Sequence, residues 1–344
     1  MIRGNNDKVF FNENELEEYH LDHSKNIIPL IDTIMIGNGT KCNDTRVDNA
    51  SQKIRVHGFD SVSNEFFIYA DPNLLVIILM HLYNRMICSG FVPHDFNTSV
   101  LIPIPKKGIL KTPSDYRPIS LSSVLSSILE SLLLEKMPCI TNLSTNQFGY
   151  KKNTSCKSAF MVANETIQYY KAGSSNVHVV SLDAAKAFDK LWRKGLFHKL
   201  KSKIDPAIWR LLYNYYAASI VMVSIEGFYS EKFQTTEGVK QGAVLSPFLF
   251  NFFMDDLLNG VVDLKLGAAL GPYNSSILAY CDDLLLISSV ESHMNSILDF
   301  CHNYACDWKL KFNAQKSVSY TVKKNNLSEF ILGASLILVS NGFI

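Results

Sequence analysis

Apolar positions along this chain follow two rhythms that take turns. From Asp71 onward, Leu74-Leu-Val-Ile-Ile-Leu-Met-His-Leu-Tyr83 has helical length, and Ser89-Gly90 stops it. The β-prone run Ser99-Val-Leu-Ile-Pro-Ile104 then meets Pro105-Lys-Lys-Gly108, turn chemistry that carries positive charge. After Tyr116-Arg-Pro-Ile-Ser-Leu121, apolar residues recur at helical spacing through Val124, Ile128, Leu132 and Leu133. A polar stretch over 146–155 precedes a helical segment at 158–171. Val177-His-Val-Val-Ser-Leu182 is the strongest strand pattern, being short, β-branched and bounded by Gly173-Ser-Ser175. A helix at 207–217 and a hairpin pairing 220–225 with 231–236 around Gly227 follow. Ser246-Pro247, with Ser as N-cap and Pro as the first helical residue, opens a helix through Leu258. Strands at 276–280 and 284–288 flank Asp282-Asp283, and a helix near 292–307 with a strand near 317–322 completes a mixed α+β pattern.

Composition changes this picture little. With 47% hydrophobic residues, wholesale disorder is excluded, although residues 1–70, rich in Asn, Asp and Ser, lack periodicity and read as a poorly ordered extension. That extension is acidic in balance, and the basic excess lies in 71–344, too mild to establish polyanion binding. Seven cysteines without a paired CxxC favour a reducing compartment. Cys301, His302 and Cys306 share one predicted helix, where packing is a better account than zinc because no second ligand pair follows. No signal peptide follows Met1, and the apolar run from Leu74 to Met80 is too short to span a bilayer.

Three ordered segments carry the candidate chemistry: Ser181-Leu-Asp-Ala-Ala-Lys-Ala-Phe-Asp189, Gly238-Val-Lys-Gln-Gly-Ala-Val-Leu-Ser-Pro247 and Ala279-Tyr-Cys-Asp-Asp283. A strand delivers one Asp, a Gly-containing loop follows, and an Asp-Asp pair sits at a hairpin turn. This arrangement brings carboxylates from distant positions around hard cations, which take oxygen ligands. Phosphoryl transfer asks for alignment and charge compensation more than covalent help, and two divalent ions supply both. Asp183 and Asp282 are the foremost ligand candidates, with Asp283 assisting. Singly, a strand-end Asp is a turn residue and an Asp pair is solvated surface; the order and the apolar flanks favour the joint reading. Asp255-Asp256 lacks such flanks and reads as helix surface, and Asp189 reads as support for its own turn. Phe188 is either a core aromatic or the floor beneath a nucleotide sugar. Lys106, Lys107 and Arg117 are either solvated charges or cations for triphosphate and template phosphates.

These residues resemble the reverse transcriptase domain of non-LTR (LINE-type) retrotransposons, particularly the jockey-like elements. Leu101-Ile-Pro-Ile-Pro-Lys-Lys-Gly108 with Asp115-Tyr-Arg-Pro-Ile-Ser-Leu121 resembles the fingers motifs, and Asn146-Gln-Phe-Gly-Tyr150 the next block. The Asp183 segment is similar to the first palm motif, Gly238–Pro247 to the nucleotide-pocket loop, Ala279–Asp283 to the aromatic-x-Asp-Asp turn, and Lys311-Phe-Asn-Ala-Gln-Lys316 to the lysine-bearing motif. The resemblance, over about residues 75–344, implies an α+β right-hand polymerase: fingers over 71–175, and over 176–344 a palm whose antiparallel sheet is backed by helices. It implies RNA-templated DNA synthesis from dNTPs on a DNA primer or target DNA, with two Mg²⁺ ions, or Mn²⁺ in their place. Asp183, Asp282 and Asp283 would be catalytic, and the Ala184 carbonyl would help hold a metal. Phe188 would discriminate the sugar, Gln241 and Gly242 would line the nucleotide pocket, and Lys316 would protonate pyrophosphate. Arg117, Lys106 and Lys107 would face template or triphosphate. Nuclear action is implied, with cytoplasmic assembly; no membrane partner is expected.

Two departures temper the expectation. Ala243 stands where Gly or Cys is common in these elements. The chain also ends before or within the expected primer grip, with no thumb after it and no endonuclease before it. A catalytically impaired nucleic-acid-binding remnant is therefore the alternative, and a group II intron maturase-like polymerase a third reading.

Overall fold

The computed structural model describes residues 58–60, 62, 64–106, 112–322, 330–332 and 335–339. Most of the expected extension, residues 1–57, 61 and 63, and Lys107 lie outside this set; residues 64–69 form a helical turn and a half. In chain order the strands are β1 (Thr98–Pro105), β2 (Tyr116–Leu121), β3 (Val177–Asp183), β4 (Ile220–Ile225), β5 (Phe228–Tyr229), β6 (Phe233–Gln234), β7 (Ala269–Leu270), β8 (Tyr273–Asn274), β9 (Ile277–Tyr280), β10 (Asp283–Ser288), β11 (Val318–Val322), β12 (Ile331–Leu332), β13 (Ser335–Leu336) and β14 (Leu338–Val339). The chain forms two compact units, each built from two stretches. One takes the described residues up to Leu133 with Ile204–Thr236; the other takes Leu134–Lys203 with the chain from Glu237 onward.

In the first unit, the helix Pro72–Ser89 buries Leu75, Leu79, Tyr83 and Met86, the i, i+4, i+8, i+11 stripe of its apolar run. It packs against the helix Pro206–Ala217. There the Arg210 guanidinium donates to the Cys88 carbonyl at 2.6 Å and the Asn214 amide to the Gly90 carbonyl at 2.8 Å, satisfying carbonyls at a helix end. The buried Glu130 accepts from the Tyr215 hydroxyl at 2.8 Å. β1 pairs antiparallel with β2 and parallel with β4. The expected hairpin is broken in two: β4 pairs first with β5 and then with β6. Glu226 (φ 51) and Gly227 (φ 87) make a two-residue turn in which both residues need positive φ, and this closes β4 onto β5 well before residue 231.

The second unit is built on the sheet β14-β11-β3-β10-β9. β3 and β10 read as near-continuous apolar runs because both faces of the sheet are covered. On one face, Val177, Val179 and Ile287 pack with Leu278 and with Ala163 and Ile167 of the helix Cys156–Ala172. On the other, Val180, Leu182, Leu284 and Leu286 are fully buried. The helix Glu291–Asp307 packs on β10, and the helix Ser246–Asp263 packs on β9. The second helix corrects the expected cap: Leu245 occupies the N-cap position, Ser246 is already helical, and its hydroxyl is buried without a hydrogen-bond partner. Among the described residues no helix is long and apolar enough to cross a membrane.

Candidate active site

The carboxylates meet at the end of the sheet because β3 and β10 run antiparallel with Asp183 directly opposite Asp283. Directly opposed residues point to the same face, so these two side chains project together, on the face that carries Ser181 and Leu285 one step back. Tyr280 pairs with Asp283, leaving Cys281 and Asp282 as a two-residue turn between β9 and β10. Cys281 has φ 59, a left-handed conformation that costs a non-glycine residue roughly 1–2 kcal/mol. Burial raises the Asp282 carboxyl above its ordinary value, and the Asp283 and Asp183 charges raise it further. Burial and the Asp183 charge do the same to Asp283. Asp282 and Asp283, both raised, stand with Asp183 as an oxygen donor set at the end of the sheet.

Behind this turn lies the segment 146–149. Its Asn146 carbonyl accepts from the Ala279 amide at 2.8 Å, and the Ala279 carbonyl accepts from the Phe148 amide at 2.8 Å. The Asn146 side chain donates to the carbonyls of Ile277 (2.6 Å) and Asn274 (2.8 Å). At Gly149 the fit is so close that a Cβ would lie 2.5 Å from the Cys281 backbone nitrogen. Beyond Asp183, the Asp183 carbonyl accepts from the Asn313 amide and the Ala185 amide donates to the Lys311 carbonyl, both at 2.8 Å. These bonds flank an antiparallel bridge between Ala184 and Phe312.

Residues 104–332, more than half of the chain, match the family described as reverse transcriptase (RNA-dependent DNA polymerase). The chain belongs to this family. Its relatives are non-LTR retrotransposon proteins. The chain is 28% identical, over 72% of its length, to the Pol polyprotein of the type-2 element R2DM of Drosophila melanogaster, of which it covers 23%. Identity to the Pol polyprotein of an R2 element of Popillia japonica is 30% over 68% of the chain and 33% of that protein. For the RNA-directed DNA polymerase of the mobile element jockey of D. melanogaster the values are 25%, 73% and 28%. The chain thus spans about a quarter to a third of these relatives. Among solved structures, apo telomerase from Candida tropicalis truncated from its C-terminal domain shares the fold, with a TM-score of 0.51 at 12% identity over 78% of this chain and 64% of that one. The fold is the α+β fingers and palm of a right-hand polymerase.

Within this reverse transcriptase domain, the remaining expected residues fall as follows. Lys316 Nζ lies 3.8 Å from Asp183 Oδ2, an ion pair with both partners partly exposed. Phe188 is half-buried and stacks on Phe250, with ring centres 5.2 Å apart. Its carbonyl accepts from the Val239 amide at 2.7 Å, which ties the first motif to the loop of the second. Gln241 donates through Nε2 to Asp189 at 2.7 Å, and Gly242 is exposed beside it with φ 100. Asp189 is thus held by the loop. Lys106 and Arg117 are exposed in the first unit, where Lys106 donates to the Ser114 carbonyl at 2.7 Å and Arg117 lies opposite Ile104.

Asp255 accepts from the Ser144 amide (2.7 Å), and Asp256 pairs with Lys199 (2.8 Å), so both are spent structurally. Cys301 is buried on the helix it shares with His302 and Cys306. Among the described residues, no group of three or more His, Cys, Asp or Glu that could hold a metal ion is gathered. The donor set still suits a hard divalent cation, since Mg²⁺ is commonly held by one or two carboxylates and completed by substrate phosphates and water.

Several contributing residues carried no sequence signal of their own. Arg193, buried, donates through Nε to the Gly238 carbonyl at 2.7 Å and so braces the loop that begins at Gly238. Gln147, 1% exposed, bonds the Cys281 peptide. Its block was legible, but its partner lies 134 residues away.

Proposed function

We propose that this domain is an RNA-directed DNA polymerase that extends a DNA primer, or nicked target DNA, with dNTPs on an RNA template. The observation that carries the reading is the facing of Asp183 and Asp283 across β3 and β10, with Asp282 in the adjoining turn. These three carboxylates, with the Ala184 carbonyl, would hold two Mg²⁺ ions, Mn²⁺ being an equivalent oxygen-seeking substitute. Bound divalent ions supply activation of the primer 3′-hydroxyl and charge compensation at the triphosphate.

The chain's own residues do the rest. Phe188, stiffened by Phe250, presents its ring as the floor under the sugar. The Gln241–Gly242 corner, fixed through Asp189, lines the nucleotide pocket. Lys316 holds a proton for the departing pyrophosphate; its 3.8 Å contact with Asp183 is weak enough for it to turn to a phosphate. Arg117, Lys106 and Lys107 supply cations for triphosphate or template. Action on target DNA makes the nucleus the site of function.

The test is Mg²⁺-dependent dNTP incorporation on a primed poly(rA) template, wild type beside Asp183→Asn. Incorporation lost in the variant is expected. Near-normal incorporation by Asp183→Asn would remove that residue from the site. A wild-type chain that binds template-primer but incorporates nothing would make the domain an impaired nucleic-acid-binding remnant.

A further inference from the structure

Gln147 is one of the most buried polar side chains in the second unit, and its carboxamide is devoted to the turn that carries the carboxylates. Its Oε1 accepts from the Cys281 amide at 2.9 Å and from the Gly149 amide at 2.8 Å, while its Nε2 donates to the Cys281 carbonyl at 3.4 Å. A carboxamide has the donor and acceptor of a peptide side by side. Gln147 is also bridged in parallel to Ala279, so its side chain carries the backbone ladder beyond the strand and around the corner. The β9–β10 pairing already closes the hairpin, so these bonds are not needed to form it. They hold the two peptide groups that flank the Cys281 Cα, in a residue whose φ of 59 is otherwise disfavoured, and the second of these groups leads into Asp282.

We propose that Gln147 is a positioning residue whose carboxamide clamps the N–H and C=O of Cys281 and thereby sets where the Asp282 carboxylate lies relative to Asp183 and Asp283. The inference rests on the polymerase reading for its consequence, since it makes Gln147 a determinant of divalent-ion affinity. Three features make it more than packing. Both atoms of the carboxamide end on one residue. That residue adjoins a proposed ligand. Gly149, which shares the acceptor, leaves the turn no room to retreat.

The experiment titrates Mn²⁺ into the full-length chain by electron paramagnetic resonance, comparing wild type, Gln147→Met and Asp183→Asn. Met keeps the length of the side chain without its hydrogen bonds. A loss of about tenfold or more in Mn²⁺ affinity is expected for Gln147→Met, the size typical when a group orienting a metal ligand is removed. The melting midpoint should stay within a few degrees of wild type and the KM for dNTP within about twofold, while kcat falls by a comparable factor. Unchanged Mn²⁺ affinity in a folded Gln147→Met protein overturns the proposal. Gln147→Asn, with the same chemistry one carbon shorter, should lose affinity likewise, and retention there also overturns it.

Should both variants fail to fold, hydrogen exchange in the wild type decides. Protection of the Cys281 amide is expected, and fast exchange there refutes the clamp. Wild type that binds Mn²⁺ through Asp183 yet incorporates no dNTP refutes the polymerase reading while leaving the clamp in place. Incorporation with Gln147-independent Mn²⁺ affinity does the reverse.

Discussion

Asp283→Asn should make the ion-free protein more stable while ending the metal binding proposed for this site. Asp283 stands opposite Asp183, and burial and that charge raise its proton affinity with no hydrogen bond offsetting them. Directly opposed residues have Cβ atoms about 5 Å apart. Two unit charges at about 5 Å repel by ~0.8 kcal/mol in water and by ~3 kcal/mol at an effective dielectric of about 20. Asp183 and Asp283 are both reached by solvent, so about 1 kcal/mol is the expected relief on neutralising one of them. In a chain of this size that is a rise of about 1–2 °C in Tm.

The pH dependence has a definite sign. A carboxyl whose pKa is raised by folding favours the folded state when protonated, and that contribution is lost as pH rises through the folded value. The gap between variant and wild type should therefore be full at pH 7.5 and close as pH falls towards the ordinary Asp value of about 3.9. Millimolar Mg²⁺ should reverse the order, since an ion that binds only the folded wild type stabilises it by mass action. Thermal melts in chelator and in Mg²⁺, at pH 7.5 and 5, check all three. Asp283→Asn melting below wild type in chelator at pH 7.5 would refute the repulsion argument.

Four other substitutions test neighbouring parts. Gly149→Ala places a Cβ 2.5 Å from the Cys281 nitrogen, a backbone atom, so urea titration should show a loss of about 1–3 kcal/mol, as for overpacking elsewhere; an unchanged midpoint would mean the turn can move aside. Phe188→Val should cost about 0.5–1.5 kcal/mol through the lost Phe250 stack and relax discrimination against ribonucleotides; unchanged selectivity would leave Phe188 a core residue only. Lys199 Nζ, 3.9 Å from the Trp308 ring centre, donates to the Phe253 carbonyl (2.9 Å) and the Tyr304 hydroxyl (2.8 Å), so Lys199→Met should cost about 2 kcal/mol. Asp256→Asn should cost under about 1 kcal/mol, because that carboxylate is mostly solvated; the opposite ranking would place the stabilisation in the ion pair rather than in the aromatic setting.

Much of the fold was legible because local pattern reports burial. β3 and β10 stood out as short apolar runs since both sheet faces are covered, and the helices Cys156–Ala172, Pro206–Ala217 and Glu291–Asp307 stood out through their periodicity. Short elements were less visible. The helices Ala187–Lys190 and Arg193–Leu200 carry Lys and Arg among few apolar residues, and their existence depends on the tertiary setting of the Leu191, Leu196 and Leu200 side chains, which are buried. Ser246-Pro247 had the local chemistry of a cap, but the helix begins one residue earlier than that chemistry suggests.

By itself, then, the amino-acid order determined the strands, the main helices and the presence of Asp183, Asp282 and Asp283 at strand ends, because those properties depend on residues within a few positions of one another. Tertiary structure alone decided the rest. Of two adjacent carboxylates, the pairing of β3 with β10 put Asp283 opposite Asp183, and a slip of one residue would have exchanged the faces. The contribution of Ile204–Thr236 to the first unit and the clamp of Gln147 on Cys281 likewise join residues far apart in sequence. Such contacts arise from which surfaces bury each other, and no local pattern records that.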